Sequence, residues 1–126
     1  MILVDSSVWV DHLRSAEPVL ADLLISQQVL SHPFIVGEVA LGSLRQRAVI
    51  VADLQCLPMT GQASDNEVMA LIDQQALHGR GIGYIDAHLL AATLLTPGTK
   101  IWTRDRRLRA VAEALGLAIP ERGDAR

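Results

Sequence analysis

The sequence predicts an α/β fold, a small parallel β-sheet flanked by α-helices. Short apolar runs ("ILV", "VLS", "KIWT") alternate with longer stretches of helical character, the rhythm of parallel strands joined by helical crossovers. Half of the 126 residues are hydrophobic and a fifth are charged, which suits one globular domain over residues 1–126 with a core of its own. Only four residues are aromatic, so that core is built from Leu, Val, Ile and Ala, a supply suited to helices on a small sheet.

The elements follow in order. A first strand runs from Ile2 to Asp5 and passes into a helix capped by Ser6 or Ser7 and reaching about Arg14. A second helix covers Pro18 to Gln27, followed by a brief strand at Val29 to Ser31. Pro33 opens a third helix, "PFIVGEVALGSL", which Gly42-Ser43 weakens; "RAVIVADLQCL" either continues it or forms a separate helix. A short strand near Leu57 to Thr60 precedes the helix "DNEVMALIDQQALHG", and glycines 79, 81 and 83 make a loop. "YIDAHLLAATLL" is the next helix, closed by Pro97-Gly98. The strand Lys100 to Thr103, the helix "RDRRLRAVAEALG" and a small strand at Leu117 to Ile119 complete the domain, with a short polar tail after Pro120.

A net charge of −3 provides no global attraction for nucleic acid. Ten of the eleven basic residues are arginines, however, and Arg104, Arg106, Arg107 and Arg109 crowd together. They form either a local phosphate-binding patch or a solvated helix face. Cys56 is alone, so no intrachain disulfide forms, and its apolar surroundings predict a small core residue. There is no basic leader before the first apolar run and no stretch of membrane-spanning length, so the expected compartment is the cytoplasm.

Four acids stand out. In open parallel sheets, ligands bind beyond the carboxyl ends of the strands, where Asp5 and Asp105 fall. Glu38 has Phe34, Leu41 and Gly42 at helical offsets, and Asp86 has Leu89, Leu90 and Thr93, which places both carboxylates on apolar stripes. An unpaired carboxylate there is costly. Asp5 and Asp86 could each cap a helix, and Asp105 could complement a helix dipole, whereas Glu38 has no capping role. Four acids converging on one rim repel one another unless a divalent cation holds them, and an all-oxygen donor set selects Mg²⁺, or Mn²⁺ in its place. Ser6, Ser7 and Thr103 flank the acids and could orient water or phosphate, although capping accounts for them nearly as well. His12, His32, His78 and His88 are scattered, with no pair at ligand spacing, and are expected to be ordinary surface or core residues. Trp9 and Trp102 are expected to pack in the core.

The segments "MILVDSSVWVDHLR", "GEVALGSL", "YIDAHLLAATLL" and "WTRDRRL", in that order over essentially the whole chain, resemble the PIN-domain family and within it the VapC-type toxins of bacterial toxin–antitoxin pairs. The resemblance implies a PIN-like fold, with Asp5, Glu38, Asp86 and Asp105 as catalytic metal ligands and a serine after the first acid, matched by Ser6 and Ser7. It implies a metal-dependent endoribonuclease acting on structured RNA such as tRNA, a homodimer, and a cognate VapB-type antitoxin whose C-terminal segment blocks the site. Arg104, Arg106 and Arg107 would then hold the RNA backbone. Many relatives carry a further acid shortly after the "T-R-D" aspartate, where Arg106 and Arg107 stand here.

Two rivals compete. A phosphoacceptor receiver domain requires adjacent acids after its first strand and a lysine after a late strand; Asp5 is followed by Ser6, and Lys100 begins its strand. A non-catalytic α/β binding module with structural acids would have neither metal nor RNA chemistry.

Overall fold

A computed structural model describes residues 1–120, so the polar tail after Pro120 lies outside the described residues. Three parallel strands, β1 (Ile2–Val4), β2 (Val29–Leu30) and β3 (Lys100–Trp102), lie in the order β2-β1-β3. Ile2 pairs with both Val29 and Lys100, and Leu3 with both Leu30 and Ile101. The central strand is continuously apolar, as a parallel strand covered on both faces requires, and Leu3 and Val4 are wholly buried. The two further strands anticipated at 57–60 and 117–119 shrink to single bridges, Ser31 with Met59 and Ile101 with Ala118.

Seven helices surround the sheet among the described residues: α1 (Ser6–Arg14), α2 (Pro18–Ile25), α3 (Pro33–Ala40), α4 (Arg47–Gln55), α5 (Asp65–Gln74), α6 (Tyr84–Leu95) and α7 (Arg106–Ala114). The helix α4 is separate from α3, interrupted by a turn in which Gln46 is left-handed at φ 53°. Ser64 and Glu67 start α5 with reciprocal side-chain-to-backbone bonds of 3.1 and 2.9 Å. Pro33 occupies the first turn of α3, and the His32 ring accepts from the Phe34 N–H.

Several helix ends fall short of their expected positions for a common reason. Gln27, Ala76 and Gly116 each adopt positive φ, and the next N–H reaches back to Leu23, Ile72 and Ala112 respectively. These are left-handed stops in which the chain reverses and recovers orphaned carbonyls. Glycine commonly fills that position, so Gln27 and Ala76 hide the stop from a sequence reading. The start of α7 also moves, from Arg104 to Arg106, because Asp105 takes the capping position.

The core gathers β1, β3, the buried faces of the helices and both tryptophans. Cys56, expected inside, is exposed at the end of α4, where Leu54 supplies the buried contact instead. No helix among the described residues is long and apolar enough to cross a membrane.

Candidate active site

Beyond the carboxyl ends of β1 and β3 the sheet opens into a cleft of about 510 Å³, lined in part by Asp5, Glu38, Asp86 and Asp105. Each acid comes from a different element. Asp5 follows β1, Glu38 lies on α3, Asp86 on the first turn of α6, and Asp105 precedes α7.

Asp5 is buried and occupies the position before α1, yet its side chain makes no capping bond. Its Oδ2 instead accepts from the Ser7 hydroxyl at 2.7 Å and the Thr103 hydroxyl at 2.8 Å. Ser6 and Ser7, expected to cap α1, lie within its first turn. Ser7 Oγ also accepts from the Arg104 N–H at 3.0 Å, and Thr103 Oγ1 from the Asp105 N–H at 3.1 Å. Two hydroxyls thus join the ends of β1 and β3 around one carboxylate.

Asp105 does cap a helix, its Oδ1 accepting from the Arg107 and Leu108 N–H groups at 2.9 Å each. Asp86 Oδ2 accepts from the Gly83 N–H at 3.3 Å, and Glu38 Oε1 accepts from Ser6 Oγ at 3.3 Å. All four acids share a pattern: one oxygen is oriented by the protein, while the other has no hydrogen-bond partner among the described residues. A ligand set with its second contacts in place has this form.

The expected apolar stripe beneath Glu38 is not a core face. Phe34 and Leu41 are exposed, Leu41 at 90 %, while α3 buries Ile35, Val36 and Val39. Glu38 is on the open side of the helix and reaches the cleft from there. Asp86 is half-buried, with Leu89, Leu90 and Thr93 buried below it as the spacing indicates.

The Glu38 carboxyl is held above the ordinary carboxylate range, chiefly because the concave wall strips its solvation, with the charges of Asp5 and Asp86 adding to the effect and the Ser6 bond opposing it. Asp86 is raised for the same leading reason, against the Gly83 N–H bond, with Asp5 and Asp105 contributing. Asp5 and Asp86 thus act on Glu38, and Asp5 and Asp105 on Asp86, across the cleft. No group of three or more His, Cys, Asp or Glu side chains among the described residues is arranged to hold an ion directly. Magnesium does not demand such a cage: it retains several waters and takes one or two carboxylates directly, with substrate phosphate completing the shell. The hard oxygen donors, their unpartnered atoms and their mutual repulsion fit an ion of that class.

The arginines do not form one patch. The Arg104 guanidinium bonds Asp11 at 2.7 Å and Glu17 at 2.6 Å and lies 5.8 Å from the centre of the Trp102 ring. Arg109 pairs with Glu113 at 3.1 Å. Arg106 and Arg107 are exposed and line a separate hollow together with Arg80. Arg47, near enough in sequence to serve Glu38, instead donates from Nε to the Ala40 carbonyl. Asp11 escapes sequence reasoning, yet it lines the cleft. It is four residues after Ser7 on α1, and that spacing is its only signal.

None of the four histidines lines the cleft. His12 accepts from the Glu17 N–H, His32 caps α3, and His88 bonds Asp65 at 3.1 Å.

The PIN domain family model matches residues 2–114. The chain is similar to ribonuclease VapC32 from two strains of Mycobacterium tuberculosis, 42 % identical over 121 residues in each case, covering 96 % of this chain and 98 % of the relative. With its parallel sheet and the acids at the strand ends, this chain belongs to the PIN-domain family, in its VapC-type branch.

Proposed function

We propose that this chain is a Mg²⁺-dependent endoribonuclease that hydrolyses RNA phosphodiester bonds at the acidic cleft, with Asp5, Glu38, Asp86 and Asp105 as its metal-holding residues. The carrying observation is the convergence of four carboxylates from four elements, each with one oriented and one unpartnered oxygen. Kinship with a protein named as a ribonuclease gives the substrate class.

A bound divalent cation supplies charge neutralisation at the scissile phosphate and a lowered pKa for attacking water. The chain's own residues make that chemistry productive. Ser7 and Thr103 fix the Asp5 rotamer by donating to one oxygen, which leaves Oδ1 for the ligand. Asp105 is fixed by two backbone N–H groups and leaves Oδ2. Glu38 and Asp86, raised by their surroundings, would bind the cation as carboxylates, so metal uptake strengthens as pH rises through their range. Ser6 orients Glu38. Arg104 is committed to Asp11 and Glu17, so contacts with the RNA backbone fall to Arg106 and Arg107.

The reading extends to a toxin role in a type II toxin–antitoxin pair, for which the VapC kinship speaks, with structured RNA such as tRNA as target and a VapB-type antitoxin as partner; a homodimeric assembly, one domain over residues 1–126 and action in the cytoplasm belong to the same proposal. Mn²⁺ is expected to substitute for Mg²⁺ because it shares the oxygen preference. The test is incubation of the purified protein, freed of copurified inhibitor, with a total tRNA pool. Discrete cuts that need Mg²⁺ and vanish with excess chelator support the reading. Intact RNA with either Mg²⁺ or Mn²⁺ would return the chain to a non-catalytic binding module.

A further inference from the structure

Beside the acidic cleft is a hollow of about 410 Å³ lined by Arg80, Arg106, Arg107 and Ala110. Arg106 and Arg107 stand four and three residues before Ala110 on α7, at offsets that place each of them beside it on the helix surface. Arg80 comes from the glycine loop that precedes α6. The same loop accommodates Arg107: a Cβ on Gly81 would lie 2.7 Å from Arg107 Cδ, and Gly81 holds φ at +81°. Both the absent side chain and the left-handed backbone therefore let Arg107 lie across the loop.

No ion pair or side-chain hydrogen bond engages Arg80, Arg106 or Arg107 among the described residues, in contrast to Arg104 and Arg109. Three like charges around one hollow repel unless an anion enters, and the planar guanidinium matches phosphate oxygens in particular. Asp105, which lines the cleft, immediately precedes Arg106, which lines the hollow, so their Cα atoms are ~3.8 Å apart.

We propose that Arg80, Arg106 and Arg107 form a phosphate subsite that grips the RNA backbone next to the scissile bond, with Arg80 as a substrate-binding residue contributed by the glycine loop. This rests on the nuclease reading of the cleft and extends it. A cleft of four carboxylates repels a polyanion, so a cationic foothold beside it lets the strand settle over the acids. The hollow holds a phosphodiester that is not cut.

The test is binding of a short single-stranded RNA in excess chelator, followed by fluorescence anisotropy across a salt series. Removing one arginine that neutralises a phosphate should lower the slope of log K against log salt by about 0.7 for a single strand. Arg80→Ala is expected to lower it by about that amount, and Arg80→Ala with Arg107→Ala by about twice as much. Arg14→Ala removes the same charge at the far end of α1 and should leave the slope unchanged. In the cleavage assay Arg80→Ala should raise KM and leave kcat near the parent value. If Arg80→Ala matched Arg14→Ala in slope while the parent protein cut RNA, the subsite would be wrong and the nuclease reading would stand. A parent protein that neither bound nor cut RNA would overturn both.

Discussion

The Thr103 hydroxyl donates to Asp5 Oδ2 at 2.8 Å, although 98 residues separate the two in the chain. The bond ties the ends of two adjacent parallel strands and turns Asp5 away from the helix it precedes. A strand end that would otherwise cap a helix thereby presents a carboxylate fixed at the cleft.

Thr103→Val keeps the shape of that side chain but removes its donor. The loss of a buried bond to a carboxylate costs about 1.5–3 kcal/mol, so Tm should fall by several degrees. Cleavage should fall by ~10–100-fold, as for removal of a group that orients a metal ligand. Thr103→Ser, which restores the hydroxyl, should recover most of both, as measured by calorimetry and RNA cleavage.

At Asp105 the structural and chemical roles separate. Asn caps a helix as well as Asp, whereas Ala leaves the Arg107 and Leu108 N–H groups unserved. Asp105→Ala should cost about 1 kcal/mol in denaturant unfolding, and Asp105→Asn less than about 0.5 kcal/mol. Both should lose cleavage alike. An Asn variant that retained activity would make Asp105 a cap and nothing more.

Glu38 sits in a cleft that disfavours its charge. Because its folded pKa is raised, the folded state binds the proton more tightly, and stability falls as pH rises through the raised value. Glu38→Gln should therefore increase Tm at pH 7 in the absence of metal. The gain is on the order of 2 °C, since solvent screens a charge at the cleft mouth. Below the ordinary carboxylate value of 4.5 the difference should close. Added Mg²⁺ should stabilise the parent protein more than the variant, because binding to the folded state raises its stability.

Arg104 gives the opposite sign. Its hydrogen bond holds the Glu17 carboxyl below the ordinary range, helped by the Val19 N–H. A lowered folded pKa adds stability above the unfolded value and loses it as pH falls through the folded one. Arg104→Ala should lower Tm at pH 7 by a few degrees, on the order of 1 kcal/mol for these half-exposed pairs, and the difference should shrink below pH 4.5. An anchoring Arg104 leaves the salt slope of RNA binding unchanged, whereas a phosphate contact would lower it.

Much of the fold and site is legible in the chain because strand and charge conflict visibly. "ILVD" and "KIWTRD" place carboxylates just past apolar strands, and the rule for parallel sheets puts them on one rim. Glu38 stands out in the sequence on a mistaken premise, since Phe34 and Leu41 face outward and the neighbouring Ile35, Val36 and Val39 carry the core. An eight-residue helix offers too few turns for its periodicity to name the buried side. Gln27 and Ala76 end helices in a conformation glycine usually signals, so their stops are invisible in the sequence. Four arginines close in sequence divide among Asp11 and Glu17, Glu113, and the hollow with Arg80, because helical rotation and distant partners decide where each one goes.

Whether the four acids act together as one metal-dependent centre is decided by cleavage of the tRNA pool by Asp5→Asn, Glu38→Gln, Asp86→Asn and Asp105→Asn beside the parent protein, in Mg²⁺, with folding checked by circular dichroism. The expected result is a loss of at least about 100-fold for every folded variant, none restored by added Mg²⁺ at the parent's working concentration. A folded variant of any one acid that cut at the parent's rate would remove that acid from the centre, and undiminished cutting by Asp5→Asn would contradict the account as a whole.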